Sequence, residues 1–266
     1  MIEDPLADKG MPRGYDLLIR HLKDRAVKLG EWALGMVHDG WRAYDQSDLK
    51  AAQTVLDRAT QLDRLDEDME HASIAFLVLR QPAAVDLRTA AALLKITTHL
   101  DRVGRLGFDM ARMTPDTADQ DVSELADIRR LLQEMDEIAE SMVRQALDAL
   151  DRDQVDLARE LFRRDDTMDR MHREASRMVL AALEKHPELA RRLACDFLAA
   201  RQFERIADNS CKVGEKTIYA LTGMRRSEYL PRHPFRPYAL ETTTPPEPSR
   251  KSRNVSPARS TETKAP

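Results

Sequence analysis

Residues 161–187, LFRRDDTMDRMHREASRMVLAALEKHP, hold the pattern on which the fold turns. Leu161, Met168, Met171, Met178 and Leu183 recur at helical spacing, which marks one amphipathic helix. It stops at Lys185-His186-Pro187, where the proline ring and its missing N–H disfavour continuation. Within it, Asp165 and Asp169 stand four apart, so their side chains stack on one face. Past the proline, Glu204 and Asp208 repeat that spacing on the next helical run. Four carboxylates can therefore meet between two antiparallel helices.

The same arrangement occurs upstream in altered form. Pro82 precedes Pro187 by 105 residues, and Ala59-x-x-x-Asp63 and Asp101-x-x-x-Arg105 match the two acidic spacings at offsets of 103 to 106. Working outward, Leu17, Leu18, Leu22, Val27, Leu29, Leu34, Val37 and Trp41 mark a first helix, from Tyr15 to about Ala43. A second runs from about Asp48 to Leu79 and ends at Gln81-Pro82, and a third runs from Ala83 to about Met113. Thr114 to Gln120 (TPDTADQ) reads as a linker, after which Leu125, Ile128, Leu132, Met135, Ile138 and Met142 mark a fourth helix. The sixth runs to about Leu221, with Gly223 as its stop. Strand signals are absent. The prediction is an all-α protein of two tandem, duplicated three-helix bundles, six long helices in all, over 14–113 and 121–223, with a flexible N-terminus at 1–13.

The last 43 residues, 224–266, hold eight of the thirteen prolines and nine Lys/Arg against four Asp/Glu. That is net +5 in a chain of net −4, which leaves −9 on residues 1–223. So polar and proline-rich a segment buries too little apolar surface to offset its ordering entropy, and a disordered basic tail is expected. The small overall charge gives no general argument for nucleic-acid binding. No run of eighteen apolar residues occurs, and the polar, acidic start lacks a leader pattern, so the expected address is cytoplasmic, with membrane reached only through partners. Cys195 and Cys211 lie sixteen apart on one helix and read as reduced core thiols.

Carboxylates held close together repel, so they take up protons or recruit a cation. Asp165, Asp169, Glu204 and Asp208 form an oxygen-only set suited to magnesium, manganese, calcium or iron. The competing reading pairs them with Arg164, Arg170, Arg201 and Arg205, or leaves them in solvent. In the first repeat Arg105 replaces a ligand by a permanent cation, and a salt bridge joining Arg105 to Asp63 and Asp101 is expected. Removing that arginine would cost about 3 kcal/mol if the site were buried. No nucleophile–base pair, phosphate-binding glycine loop or Cys/His zinc spacing is present. A di-iron oxidase needs acidic-x-x-His motifs, and Asp68-x-x-His71 and Asp169-x-x-His172 have the spacing but do not correspond between the repeats.

Gln81-Pro82-Ala83-Ala84-Val85-Asp86-Leu87-Arg88 resembles the Q-P-V-A-x-D-L-R run of the PhoU proteins, which regulate bacterial phosphate uptake. Phe203-Glu204-Arg205-Ile206-Ala207-Asp208 resembles their L-E-R-I-G-D run, and Leu100 to Arg105 holds its place in the first repeat. Tyr219 to Gly223 resembles the close of the last helix, so the likeness spans Tyr15 to Gly223. It implies two three-helix bundles and acidic spacings in each repeat that bind a metal cluster, which in this chain is expected in the second repeat, with iron, zinc, manganese or magnesium. Asp165, Asp169, Glu204 and Asp208 match its ligand motif, with Asp63 and Asp101 as the weaker remnant in the first repeat. Ala59 and Arg105 depart from the motif, as do Ala207 and Lys212, which stand for the family's usual Gly and Asn. The resemblance further implies a homodimeric, non-catalytic negative regulator of phosphate uptake and starvation signalling. Its implied partners are the ATPase subunit of the phosphate ABC transporter and a sensor histidine kinase. A diverged paralogue with another partner and a carboxylate-bridged metalloenzyme are the alternatives.

Overall fold

A computed structural model of the chain describes residues 15–229, apart from 83, 121 and 122. The expectations for 1–13 and for the tail from Leu230 onward lie outside the described residues. Eight α-helices are described: α1 (Tyr15–Asp45), α2 (Leu49–Asp57), α3 (Ala59–Arg80), α4 (Ala84–Met113), α5 (Ala126–Asp151), α6 (Val155–Lys185), α7 (Ala190–Thr222) and α8 (Arg226–Tyr229). No strand occurs among the described residues. The chain is therefore all-α and built as two repeats, α1–α4 and α5–α7.

The duplication extends to turns that carry no apolar pattern. Ser47 (φ 55°) and Asp153 (φ 56°), 106 residues apart, both take the left-handed backbone. The next residue in each turn donates its N–H back to the first helix, Asp48 to the Ala43 carbonyl at 2.8 Å and Gln154 to the Ala149 carbonyl at 3.0 Å. Arg58 and Arg164, at the same offset, both reach back to the first helix of their repeat, to Asp39 and Gln145. Asp39 and Gln145 are themselves 106 residues apart.

One expected helix is split. The run from Asp48 to Leu79 breaks at Arg58 into α2 and α3. Asp48 caps α2, its carboxylate accepting from the Lys50 and Ala51 N–H groups at 3.0 and 2.9 Å. At Arg58 the N–H turns to the Val55 carbonyl (3.1 Å), a tighter closure than an α-helical bond. The guanidinium pairs with Asp39 and stacks 4.8 Å over the Trp32 ring. That break belongs to tertiary contact with α1, so periodicity along the segment carries no sign of it.

Glycine sets the closest helix crossing. A Cβ on Gly107 would lie against the Met36 carbonyl, and one on Gly40 against the Gly107 carbonyl, so α1 and α4 meet backbone to backbone. Between the repeats α4 and α7 run antiparallel: Arg88 Nε donates to the Ala220 carbonyl (3.1 Å), while His99 Nδ1 lies 3.1 Å from Asn209 Oδ1. One apolar core therefore runs through both repeats, from Leu22, Trp41 and Leu93 to Leu132, Leu161 and Phe203. Gly223 (φ 77°) ends α7 in the left-handed conformation and returns its N–H to the Tyr219 carbonyl at 2.9 Å. Order continues past it to α8, where Tyr229 packs 6.2 Å from the Phe162 ring and Arg226 lies 5.6 Å over that ring. The described helices thus extend past Gly223 to Tyr229.

Candidate metal centre

The second repeat brings the predicted acids together where α6 and α7 approach closely. A Cβ on Gly214 would fall 3.1 Å from the Ala158 carbonyl oxygen, which brings the two helices together beneath the acids. Burial pushes the Asp165 carboxyl up to about 7, and the negative charges of Asp208, Asp169 and Glu204 add to the rise. Glu204 is also raised, first by burial and then by Asp208 and Asp169, against the opposing charge of Arg201. Arg201 Nη1 holds Glu204 Oε1 at 2.8 Å, while Oε2 is buried with no hydrogen-bond partner. Glu204 is buried, Asp165 and Asp169 are half-buried and Asp208 is exposed.

Of the arginines that might have neutralised this set, Arg201 does so at Glu204. Arg164 turns to Gln145 and Ser141, Arg170 to Thr167, and Arg205 to Gln202. The four acids share one another's field without converging on a point: no group of three or more His, Cys, Asp or Glu among the described residues is placed to hold a metal ion. The donor set nevertheless fits a hard or borderline cation. It is all oxygen, it holds an orphaned Glu204 Oε2, and its mutual repulsion is relieved by any added positive charge. Bound between Asp165 and Asp169 of α6 and Glu204 and Asp208 of α7, a cation would neutralise that charge and tie the two helices.

In the first repeat the positive charge is built in. Arg105 donates from Nη2 to Asp63 (2.8 Å) and from Nε to Asp101 (2.9 Å), as its sequence position implied. The site is only partly buried, however, with Asp101 14% exposed. The Arg105 and Asp63 side chains are 54% and 49% exposed, so solvent screens the bridge and the figure for a buried site does not apply. Arg105→Ala is expected to cost about 1 kcal/mol or less in denaturant unfolding. Asp66, absent from the sequence reading, joins this cluster, its carboxyl raised by burial and by Asp101 and Glu70.

The two histidines of the acidic-x-x-His spacings part company. His71 is exposed, whereas His172 is buried against Phe197 (6.2 Å between rings), and burial and the charges of Arg201 and Arg173 push its pKa down to about 4. Both cysteines are buried free thiols.

Two buried polar clusters lie between the repeats and escaped the sequence reading. Tyr44 Oη and Arg192 Nε both donate to Asp196 Oδ1, at 2.7 and 3.0 Å, with the Arg192 guanidinium 4.4 Å over the Tyr44 ring. The other joins His38 of α1 to Glu140 of α5, beside buried Asp136. Asp136 and Glu140 stand four apart between Met135, Ala139 and Met142, and acids interrupting an apolar stripe were the available signal.

Comparison with known proteins matches this geometry to one family. The PhoU domain model matches residues 26–114 and 132–217, one match on each repeat. The chain belongs to the PhoU family. Its relatives include phosphate-specific transport system accessory protein PhoU homologues of Caulobacter vibrioides (26% identical; 83% of this chain, 95% of that protein) and Rhizobium meliloti (28%; 79% and 87%). PhoU from Pseudomonas aeruginosa has the same fold, with a TM-score of 0.72 at 24% identity over 79% of this chain and all of that one. The phosphate transport system regulatory protein PhoU from Streptococcus pneumoniae also scores 0.72, at 20% identity, covering 79% and 98%. The match covers 95% of the Caulobacter vibrioides relative, and no described helix is long and apolar enough to cross a membrane.

Proposed function

We propose that this PhoU-family protein is a negative regulator of phosphate uptake and phosphate-starvation signalling, acting by contact and not by catalysis. The observation that carries the reading is the double PhoU match over a two-repeat helical body, together with relatives named as accessory proteins of the phosphate-specific transport system. Its direct partners in this reading are the transporter's ATPase subunit and a sensor histidine kinase, met on the cytoplasmic side by a homodimer. The acidic body, −9 over residues 1–223, steers the encounter, so binding weakens as salt rises. Affinity purification with the ATPase subunit tests the contact. Deleting the gene should leave the starvation response active at high external phosphate, and a deletion strain that shuts the response off normally would overturn the reading. The salt bridge at Arg105 favours a second reading, a paralogue that has drifted to another partner, and failure to recover the ATPase subunit would move it ahead.

In the proposed protein the metal resides in the second repeat alone, where four carboxylates face two and an arginine in the first. Glu204→Ala combined with Asp208→Ala should abolish the metal retained through chelator-free purification. Full stoichiometry in that double variant, read by elemental analysis, would contradict the assignment.

A further inference from the structure

The seam between α1 of the first repeat and α5 of the second carries a series of polar contacts among its apolar ones. Lys23 reaches Asp153 (2.8 Å) at one end, and Arg129 holds Asp45 (2.8 Å) at the other. Between them Trp41 Nε1 donates to Gln133 Oε1 (3.1 Å), and His38 Nδ1 meets Glu140 Oε1 (2.7 Å). Asp136 lies one turn of α5 from both contacts, only 5% exposed, and its Oδ1 has no hydrogen-bond partner. Glu140 is 7% exposed, so two carboxyl groups four residues apart are buried on one helix face.

The charges around them do not balance. On α5, Arg144 is bound to Glu140, and Glu137 adds a further negative charge. From α1 come His38, on Glu140, and Asp45, already paired to Arg129. On α7 Arg192 pairs with Asp196, and α6 sends Arg164 to Ser141 and Gln145. Arg144 and His38 both bind Glu140, while Asp136 Oδ1 beside them has no hydrogen-bond partner.

We propose that the α1–α5 seam is a proton-dependent contact, closed while Asp136 keeps its proton and loosened when that proton leaves. Burial, then the charges of Glu140 and Glu137, hold the Asp136 carboxyl up to about 8. The sign follows from linkage: a carboxyl raised in the closed state favours closure fully below its solvent-exposed value near 4, and that advantage drains away as pH rises to about 8. Opening exposes Asp136 to water, so each pH unit in that window raises the opening equilibrium about tenfold. The effect lies at the joint between the repeats and is independent of the function proposed above.

Hydrogen–deuterium exchange of the full chain from pH 6 to pH 8, corrected for intrinsic rates, tests the seam. Peptides covering residues 34–45 and 129–144 should lose protection about tenfold per pH unit in the wild type. Asp136→Asn should flatten that dependence, and Asp156→Asn, at a side chain of α6 that is 97% exposed, should leave it in place. Glu140→Gln gives a second reading: it removes the neighbouring negative charge, so the window should close at lower pH. A flat wild-type profile, an Asp136→Asn slope equal to the wild type, or no movement with Glu140→Gln would each overturn the proposal.

Discussion

Trp41→Ala is expected to lower the folding free energy by about 3–5 kcal/mol, among the largest effects a single truncation can have in this chain. Trp41 is 1% exposed on α1, yet its contacts lie on three helices. Its ring meets Phe203 of α7 edge-on at 5.2 Å and Tyr44 at 5.8 Å, and its Nε1 donates to Gln133 of α5. The substitution therefore opens a cavity between the repeats as well as inside one. Trp32 is the comparison, since it is only half-buried and packs under the Arg58 guanidinium at 4.8 Å. Its truncation removes less buried area, and about half the loss is expected. Denaturant unfolding of the two variants decides: equal losses would mean that Trp41 does not join the repeats energetically.

Asp165→Asn, measured in chelator, is expected to stabilise the protein above neutral pH and leave it nearly unchanged at pH 4. The Asp165 carboxyl is held at about 7 in the fold, above its ordinary value near 4, so the neutral form is the one that the fold favours. Its contribution is whole below pH 4 and is lost as pH rises through about 7. Once ionised, the half-buried carboxylate costs about 4 kcal/mol at pH 8, which corresponds to roughly 10 °C in melting midpoint. Asn cannot ionise and escapes that cost. The proposed cation inverts the comparison: manganese or magnesium at pH 8 should raise the wild-type midpoint by neutralising the four acids, and should do less for the variant, which lacks one anionic ligand. Parallel wild-type and variant midpoints from pH 4 to pH 9 would show that Asp165 does not feel its three neighbours.

Much of this molecule was legible in the order of its residues. Apolar spacing placed the long helices, Pro82 and Pro187 placed the joints, and the offset of 103 to 106 exposed the duplication. The reason is physical: helical period and proline chemistry act over one turn, so a short window of sequence contains their whole cause. The acidic spacings were legible for the same reason, and so was the bridge at Arg105, because a residue four positions along a helix is already a neighbour.

Other features needed the tertiary structure. The break at Arg58 depends on Asp39 and Trp32 of another helix, and the burial of Asp136 depends on α1 lying across α5. Exposure of the Arg105 bridge, which lowers its expected worth, is likewise set by what does or does not pack over it. Residue identity alone established which groups carry charge and how they are spaced along a helix. Only the packing of one helix on another decided which of those charges lose water, and with it their proton affinity, because desolvation is a property of the surroundings and not of the side chain.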